Sequence, residues 1–225
     1  MLDHFKKWNF RADTGLAPYL FYKFQHYLAQ NIFADNIKHK EYKQLISTNW
    51  LYKIMNYPQQ NKNVDNFSFW VDNTGTPEKE DFKTIVAKSL SDTYKEYLEK
   101  SKEGDRDWRK LHTVTYSHPL GSAPVIGSFF NKGPFFMQGG RGAILTASFR
   151  RNRDFKVSHM STFRMIMDFS DFSNSLMVNS SGQSGHFMSS NYDDQIHLYV
   201  NLKYRKMEDF SGKLKLLKLK PSQKN

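Results

Sequence analysis

The feature that most restricts how this chain can fold is a change of periodicity at Trp108. Before it, apolar residues recur at the three-to-four spacing of an amphipathic helix; after it, they alternate as in a strand. From about Leu16 to Phe33, Leu16, Tyr19, Leu20, Phe24, Tyr27 and Leu28 fall on one helical face, and a second helix is expected from Glu41 to about Met55 on Leu45, Ile46, Trp50 and Ile54. Pro58 and the polar run Gln59–Asn63 end that second segment. Phe67–Asp72 reads as a short extended piece before the turn Asn73-Thr74-Gly75. A third helix is expected to start at Thr76-Pro77-Glu78, since Thr can cap free amides and Pro suits the first helical position. It carries Phe82, Ile85, Val86, Leu90, Tyr94 and Tyr97 to about Lys102, where Gly104 closes it. Residues 1–12 read as the tail of an element, with Trp8 as its anchor.

Beyond Trp108, Leu111–His118 sets His112, Val114, Tyr116 and His118 against Thr113, Thr115 and Ser117, which is strand periodicity. The Pro and Gly residues of Pro119–Gly142 read as a long loop rich in aromatics, and a loop that long is unusual unless functional or packed on something. Strands are expected at Ala143–Phe149, Thr162–Phe169 and Ser175–Val178, a short helix over Tyr192–Leu202, and strand alternation again at Lys213-Leu214-Lys215-Leu216. In the Thr162–Phe169 strand, Phe163, Met165, Met167 and Phe169 fall on one face, and Arg164, Ile166 and Asp168 on the other. The class is therefore α+β, with a helical segment over 1–107 and a strand-rich segment over 108–225.

Composition excludes several functions. With 225 residues, 39% of them hydrophobic and 16% aromatic, the chain can bury a sizeable core. The net charge of +11 is spread along the chain as lysine apart from the cluster Lys213–Lys224, and no nucleic-acid recognition motif accompanies it. There is no cysteine, which removes disulfides and thiolate chemistry. No apolar run approaches the roughly 18 residues that span a bilayer. Met1-Leu2-Asp3-His4-Phe5-Lys6-Lys7 lacks the apolar core of a signal peptide, so export would need a signal on another polypeptide.

Chemistry-bearing residues crowd into Gly182–Gln195. Gly182-Gln183-Ser184-Gly185-His186 resembles a nucleophile elbow except at its last position, where His186 replaces the required glycine. Ser184, His186 and Asp193 or Asp194 can be written as a triad, but residues so close in sequence rarely converge on one proton path. The competing reading is a turn whose polar side chains satisfy backbone groups. Gly139-Gly140-Arg141-Gly142 has the glycines of a phosphate loop without its Lys-Ser or Lys-Thr, and reads as a turn. Arg164 and Asp168 read either as a pair on a sheet face or as groups that orient a substrate. No histidines stand at metal-ligand spacing on an expected helix, so no metal site is expected.

Several blocks taken in order resemble the penicillin acylase family of N-terminal-nucleophile hydrolases, specifically the C-terminal part of its β-subunit. They are Trp108-Arg109-Lys110-Leu111-His112, His118-Pro119-Leu120-Gly121, Phe130-Asn131-Lys132-Gly133-Pro134 and Gly139-Gly140, then Ser161–Asp168, Gly182–His186 and Ser189–Gln195, which includes Tyr192 and Asp194. Asn191, where the family often has Pro-His, and Lys203-Tyr204, in place of Gly-Tyr, depart from the pattern. The resemblance implies strands that belong to a layered α-β-β-α core, incomplete in this chain. It implies an amidohydrolase for small acyl amides, such as β-lactam side chains or acyl-homoserine lactones, with an N-terminal serine attacking the carbonyl and its own α-amine as base. That serine, the oxyanion-binding Asn and the calcium ligands of some members are expected upstream, on a partner polypeptide, so this chain holds no catalytic group and no cofactor. Phe135 and Phe136 are the candidates to line the acyl pocket, and Arg164, Asp168, Ser184, His186, Tyr192 and Asp194 are motif residues of structural weight. The family implies a periplasmic enzyme, whereas the chain expressed alone would stay cytoplasmic. The alternative is a non-catalytic binding module or the vestigial product of a split gene.

Overall fold

The computed structural model describes residues 1–33, 37, 71–72, 75–99, 103–123, 125–150 and 154–207. The expected helix over Glu41–Met55, nearly all of the extended piece at Phe67–Asp72, and the alternation at Lys213–Leu216 lie outside them. The described residues form helices and small antiparallel sheets, an α+β chain that groups into two compact units, Met1–Met160 and Ser161–Asn225. The change of periodicity at Trp108 falls inside the first unit.

In that unit, α1 (Leu2–Lys6) precedes α2 (Ala17–Phe33), the amphipathic segment read from its apolar spacing. The third helix, α3, covers Phe82–Glu99 and starts later than its sequence signal suggests. Asp81 caps it: its Oδ1 accepts from the Thr84 N–H and hydroxyl, both at 2.8 Å. These two donors hold the Asp81 carboxyl below the usual carboxylate range. Thr76 instead donates its hydroxyl to the Glu78 carbonyl at 3.3 Å, in a turn.

α2 and α3 pack together through an apolar cluster of Leu28, Ala29, Ile32, Phe33, Val71 and Ile85. Beside it runs a polar ladder at helical spacing on α2. Lys23 pairs with Glu96 at 2.9 Å, the Tyr27 hydroxyl donates to Glu96 at 2.9 Å, and Asn31 donates to Ser89 at 3.0 Å and Asp92 at 3.1 Å. Successive rungs climb α2 as they descend α3, so antiparallel packing fixes the register. Burial and the Glu96 carboxylate raise the Tyr27 hydroxyl pKa well above its ordinary value.

The other end of α2 enters an aromatic core. Trp108, at the start of α4 (Trp108–Leu111), is fully buried; it stacks on His112 at 4.4 Å and on Tyr22 at 5.3 Å, with Phe149 and Phe155 set against it at 5.8 and 5.4 Å. Asp107 caps α4 through the Arg109 N–H at 2.8 Å, and its other oxygen accepts from Gly15 at 3.2 Å. β1 (Thr113–Tyr116) then pairs antiparallel with β2 (Lys132–Phe136), and β3 (Ala147–Phe149) with β4 (Val157–Met160). The segment expected as one long loop is thus broken by α5 (Gly127–Phe130) and β2, and β4 is an added strand.

The second unit is a three-stranded sheet, β5 (Phe163–Ile166), β6 (Leu176–Asn179) and β7 (Arg205–Lys206), in the order β5-β6-β7. The short helix α6 (Ile196–Val200) lies against β6, within the span expected to be helical.

Candidate functional site

The residues singled out by motif fall into three arrangements, each built from backbone contacts. The first joins His118-Pro119-Leu120-Gly121 to Phe130-Asn131-Lys132-Gly133-Pro134. The Asn131 Oδ1 accepts from the His118 N–H at 2.9 Å and its Nδ2 donates to the Gly121 carbonyl at 2.9 Å, so one amide clasps both ends of the turn. A Cβ at Gly121 would lie 2.0 Å from Asn131 Oδ1, which is why glycine stands there. The His118 ring stacks on Phe130 at 4.8 Å while its Nδ1 accepts from the Leu120 N–H at 3.1 Å. Asn131 shows in the sequence only as a side-chain amide between two Gly-bearing turns, a signal that carries no role until the two turns are placed side by side.

The second arrangement surrounds Gly139-Gly140. The Gly139 carbonyl accepts from the Trp108 indole at 3.3 Å, and a Cβ on Gly140 would lie 2.2 Å from the Tyr22 hydroxyl. These glycines let the backbone touch the aromatic core, in agreement with a turn. Here too lies His112, fully buried, with Nδ1 2.7 Å from the Phe155 carbonyl. Burial pushes its imidazole pKa down to about 4. A neutral ring stacked on Trp108 is what this site holds.

The third arrangement is the Gly182–Gln195 segment. The Gly182 N–H donates to the Tyr192 carbonyl and the Ser184 N–H to the Asn191 carbonyl, both at 3.0 Å, closing the loop on itself. A Cβ on Gly182 would sit 1.9 Å from the Asn191 carbonyl oxygen. The Ser184 Oγ accepts from the His186 backbone N–H at 3.1 Å, and His186 Nδ1 accepts from the Met188 N–H at 3.2 Å. With Nδ1 accepting from backbone, the serine-to-imidazole relay of the triad reading is not formed here. Asp194 pairs with Arg205 at 3.2 Å. Buried Gln195 anchors the end of the loop by accepting from the Asn179 N–H at 2.9 Å. The turn reading describes this loop.

Arg164 and Asp168 are held by different partners. The Arg164 guanidinium lies 3.6 Å from the centroid of the Tyr199 ring and donates through Nη2 to the Tyr199 carbonyl. Asp168 accepts from the Ser170 hydroxyl at 2.6 Å and the Ser170 N–H at 2.9 Å, contacts that hold its carboxyl below the usual range. The pairing of these two residues is thereby replaced by a cation-on-ring contact and a turn cap, because Asp168 lies beyond the end of β5, where the chain bends away from strand geometry. Phe135 and Phe136 belong to β2: Phe136 packs on the aromatic core, and Phe135 makes an edge contact with Tyr116 at 6.4 Å. Among the described residues no group of three or more His, Asp or Glu could hold a metal ion, and no helix is long and apolar enough to cross a membrane.

The comparisons with known proteins agree with the motif blocks. The family model described as penicillin amidase matches residues 1–210. The acyl-homoserine lactone acylase QuiP of Pseudomonas aeruginosa is 29% identical over 206 residues, covering 82% of this chain and 24% of the relative. Proteins of the same name from Pseudomonas fluorescens and Pseudomonas putida are 31% and 30% identical over 138 and 132 residues, each alignment covering 16% of the relative. The chain thus spans a quarter or less of the length of these curated relatives. On the extent of the family match, this chain belongs to the penicillin amidase family.

Proposed function

We propose that this chain is the C-terminal, structural part of an amidohydrolase that cleaves small acyl amides such as acyl-homoserine lactones or β-lactam side chains. Its nucleophilic serine and oxyanion-holding Asn reside on an upstream polypeptide, and the assembled N-terminal-nucleophile enzyme works in the periplasm. The observation that carries this reading is the use made of the motif residues. Asn131 satisfies backbone groups of the His118–Gly121 turn, and Ser184, His186 and Asp168 satisfy those of their own loops, so the motifs of this region serve packing and leave catalysis to another segment. The names of the relatives favour acyl-homoserine lactones as the first substrates to test.

Hydrolysis of acyl-homoserine lactones and of phenylacetyl amides is to be measured with this chain alone and with the chain co-expressed with the polypeptide encoded immediately upstream. Turnover in the pair and none in the chain alone is the expected result. Turnover in neither would replace the proposal with a non-catalytic module or a relic, and turnover in the chain alone would return attention to Ser184 and His186.

A further inference from the structure

The connection between β1 and β2 is closed by a set of hydrogen bonds, one of which depends on a proton being absent. His118 precedes the helical turn Pro119–Ser122 and caps it, its Nδ1 accepting from the Leu120 N–H at 3.1 Å. The His118 carbonyl accepts from the Gly121 N–H at 2.8 Å, and the Ala123 carbonyl accepts from the Gly127 N–H at 2.8 Å, at the start of α5. Asn131 then ties the His118 N–H and the Gly121 carbonyl together. The loop held in this way carries Leu120, Val125, Ile126 and Phe129, all exposed.

We propose that His118 is a pH-sensitive latch on this loop, closed while its imidazole is neutral and released when the ring takes up a second proton. A ring nitrogen that accepts a hydrogen bond carries a lone pair, so the closed latch has its one proton on Nε2. Imidazoles ordinarily gain the second proton at about pH 6.5. Protonation turns Nδ1 into a donor facing the Leu120 N–H, and it sets a cation at the N-terminal end of a helical turn, where free amides already point. The stack on Phe130, 4.8 Å between ring centroids, does not resist the change. A half-turn about Cβ–Cγ keeps the two rings stacked while a C–H replaces Nδ1 at the amide. The surrounding charges favour release. The elements packed here, β1, the Pro119–Ser122 turn, α5 and β2, bring one charged residue, the cation Lys132. The chain has no acidic residue between Asp107 and Asp154, and among the described residues no carboxylate forms an ion pair with His118.

The test is hydrogen exchange of the full chain, followed by mass spectrometry at pH 7.5 and pH 5.5 and corrected for the intrinsic exchange rate. The peptide over His118–Asn131 reports the loop, and the peptide over α3 reports opening of the whole fold. The wild-type loop is expected to lose about tenfold in protection at the lower pH, because each pH unit below the titration shifts the latch by up to about tenfold. His118→Asn keeps an acceptor at the capping position and does not titrate, so its loop should change by less than about twofold. His118→Phe keeps an aromatic ring for the stack without the acceptor, and its loop should exchange at both pH values as the wild type does at pH 5.5. Unchanged protection in the wild type, or a loss that His118→Asn shares, would overturn the proposal. A loss that the α3 peptide shows to the same extent would overturn it too, since the change would then belong to the whole fold. The wild-type profile with its α3 reference needs no variant, so the proposal stays open to refutation should a substitution impair folding.

Discussion

At the scale of single residues, glycines and one histidine decide what substitutions the chain tolerates. Gly182→Ala places a methyl group 1.9 Å from a backbone oxygen and is expected to destabilise the fold by about 2 kcal/mol, because backbone cannot move aside as a flexible side-chain tip can. Gly185, three residues on, has nothing within 4 Å of an added Cβ, so Gly185→Ala should leave the unfolding midpoint nearly unchanged. Urea unfolding of the two variants beside wild type checks both. His112 sets a pH dependence of its own. Its folded-state pKa of about 4 lies below the ordinary 6.5, so its contribution is fully present above pH 6.5 and is lost as pH falls towards about 4. The loss amounts to about 3 kcal/mol over that window. Asp81 and Asp168 have lowered pKa values, so their stabilisation is present above the ordinary carboxylate range and lost in more acid solution as pH falls through their folded values. Urea midpoints from pH 8 to pH 4 should therefore fall for wild type and fall less for His112→Phe.

At the scale of elements, cap chemistry and cross-helix polar contacts decide where the helices begin and how they pair. Asp81→Ala is expected to lower the thermal unfolding midpoint and Thr76→Ala to leave it almost unchanged, a difference that thermal unfolding would register. The ladder between α2 and α3 gives a second test. Glu96→Gln leaves the Lys23 ammonium, 17% exposed, without its carboxylate and should cost roughly 3 kcal/mol by chemical denaturation. The Lys23→Met, Glu96→Gln double variant should lose less than the two single changes added together. These elements also mark what could be read in advance. The apolar spacing of α2 was legible because one face of that helix is core along its whole length. The start of α3 was not, because Thr76-Pro77-Glu78 and Asp81 both carry start signals and only packing chooses between them. β2 was hidden by Gly133-Pro134, residues that argue against a strand until β1 supplies a partner. The Gly182 loop could be recognised as a motif, but the direction of each of its hydrogen bonds depended on backbone not yet placed.

At the scale of the molecule, the second unit carries large exposed apolar side chains, Phe163, Met165 and Ile166 on β5 among them. The chain alone is therefore expected to bind a hydrophobic dye such as anilinonaphthalene sulfonate at neutral pH, with Phe163→Asp, Met165→Asp and Ile166→Asp each reducing the fluorescence. The clasp at Asn131 and the close approaches at Gly121, Gly140 and Gly182 carry a consequence for inheritance. They are fitted to other residues of the same chain, so selection for a correctly shaped fold is enough to keep them. A descendant that had lost its activity would go on displaying the same blocks in the same order for as long as it still had to fold. Recognising the blocks thus dates the architecture of a relative and leaves its chemistry to be read elsewhere.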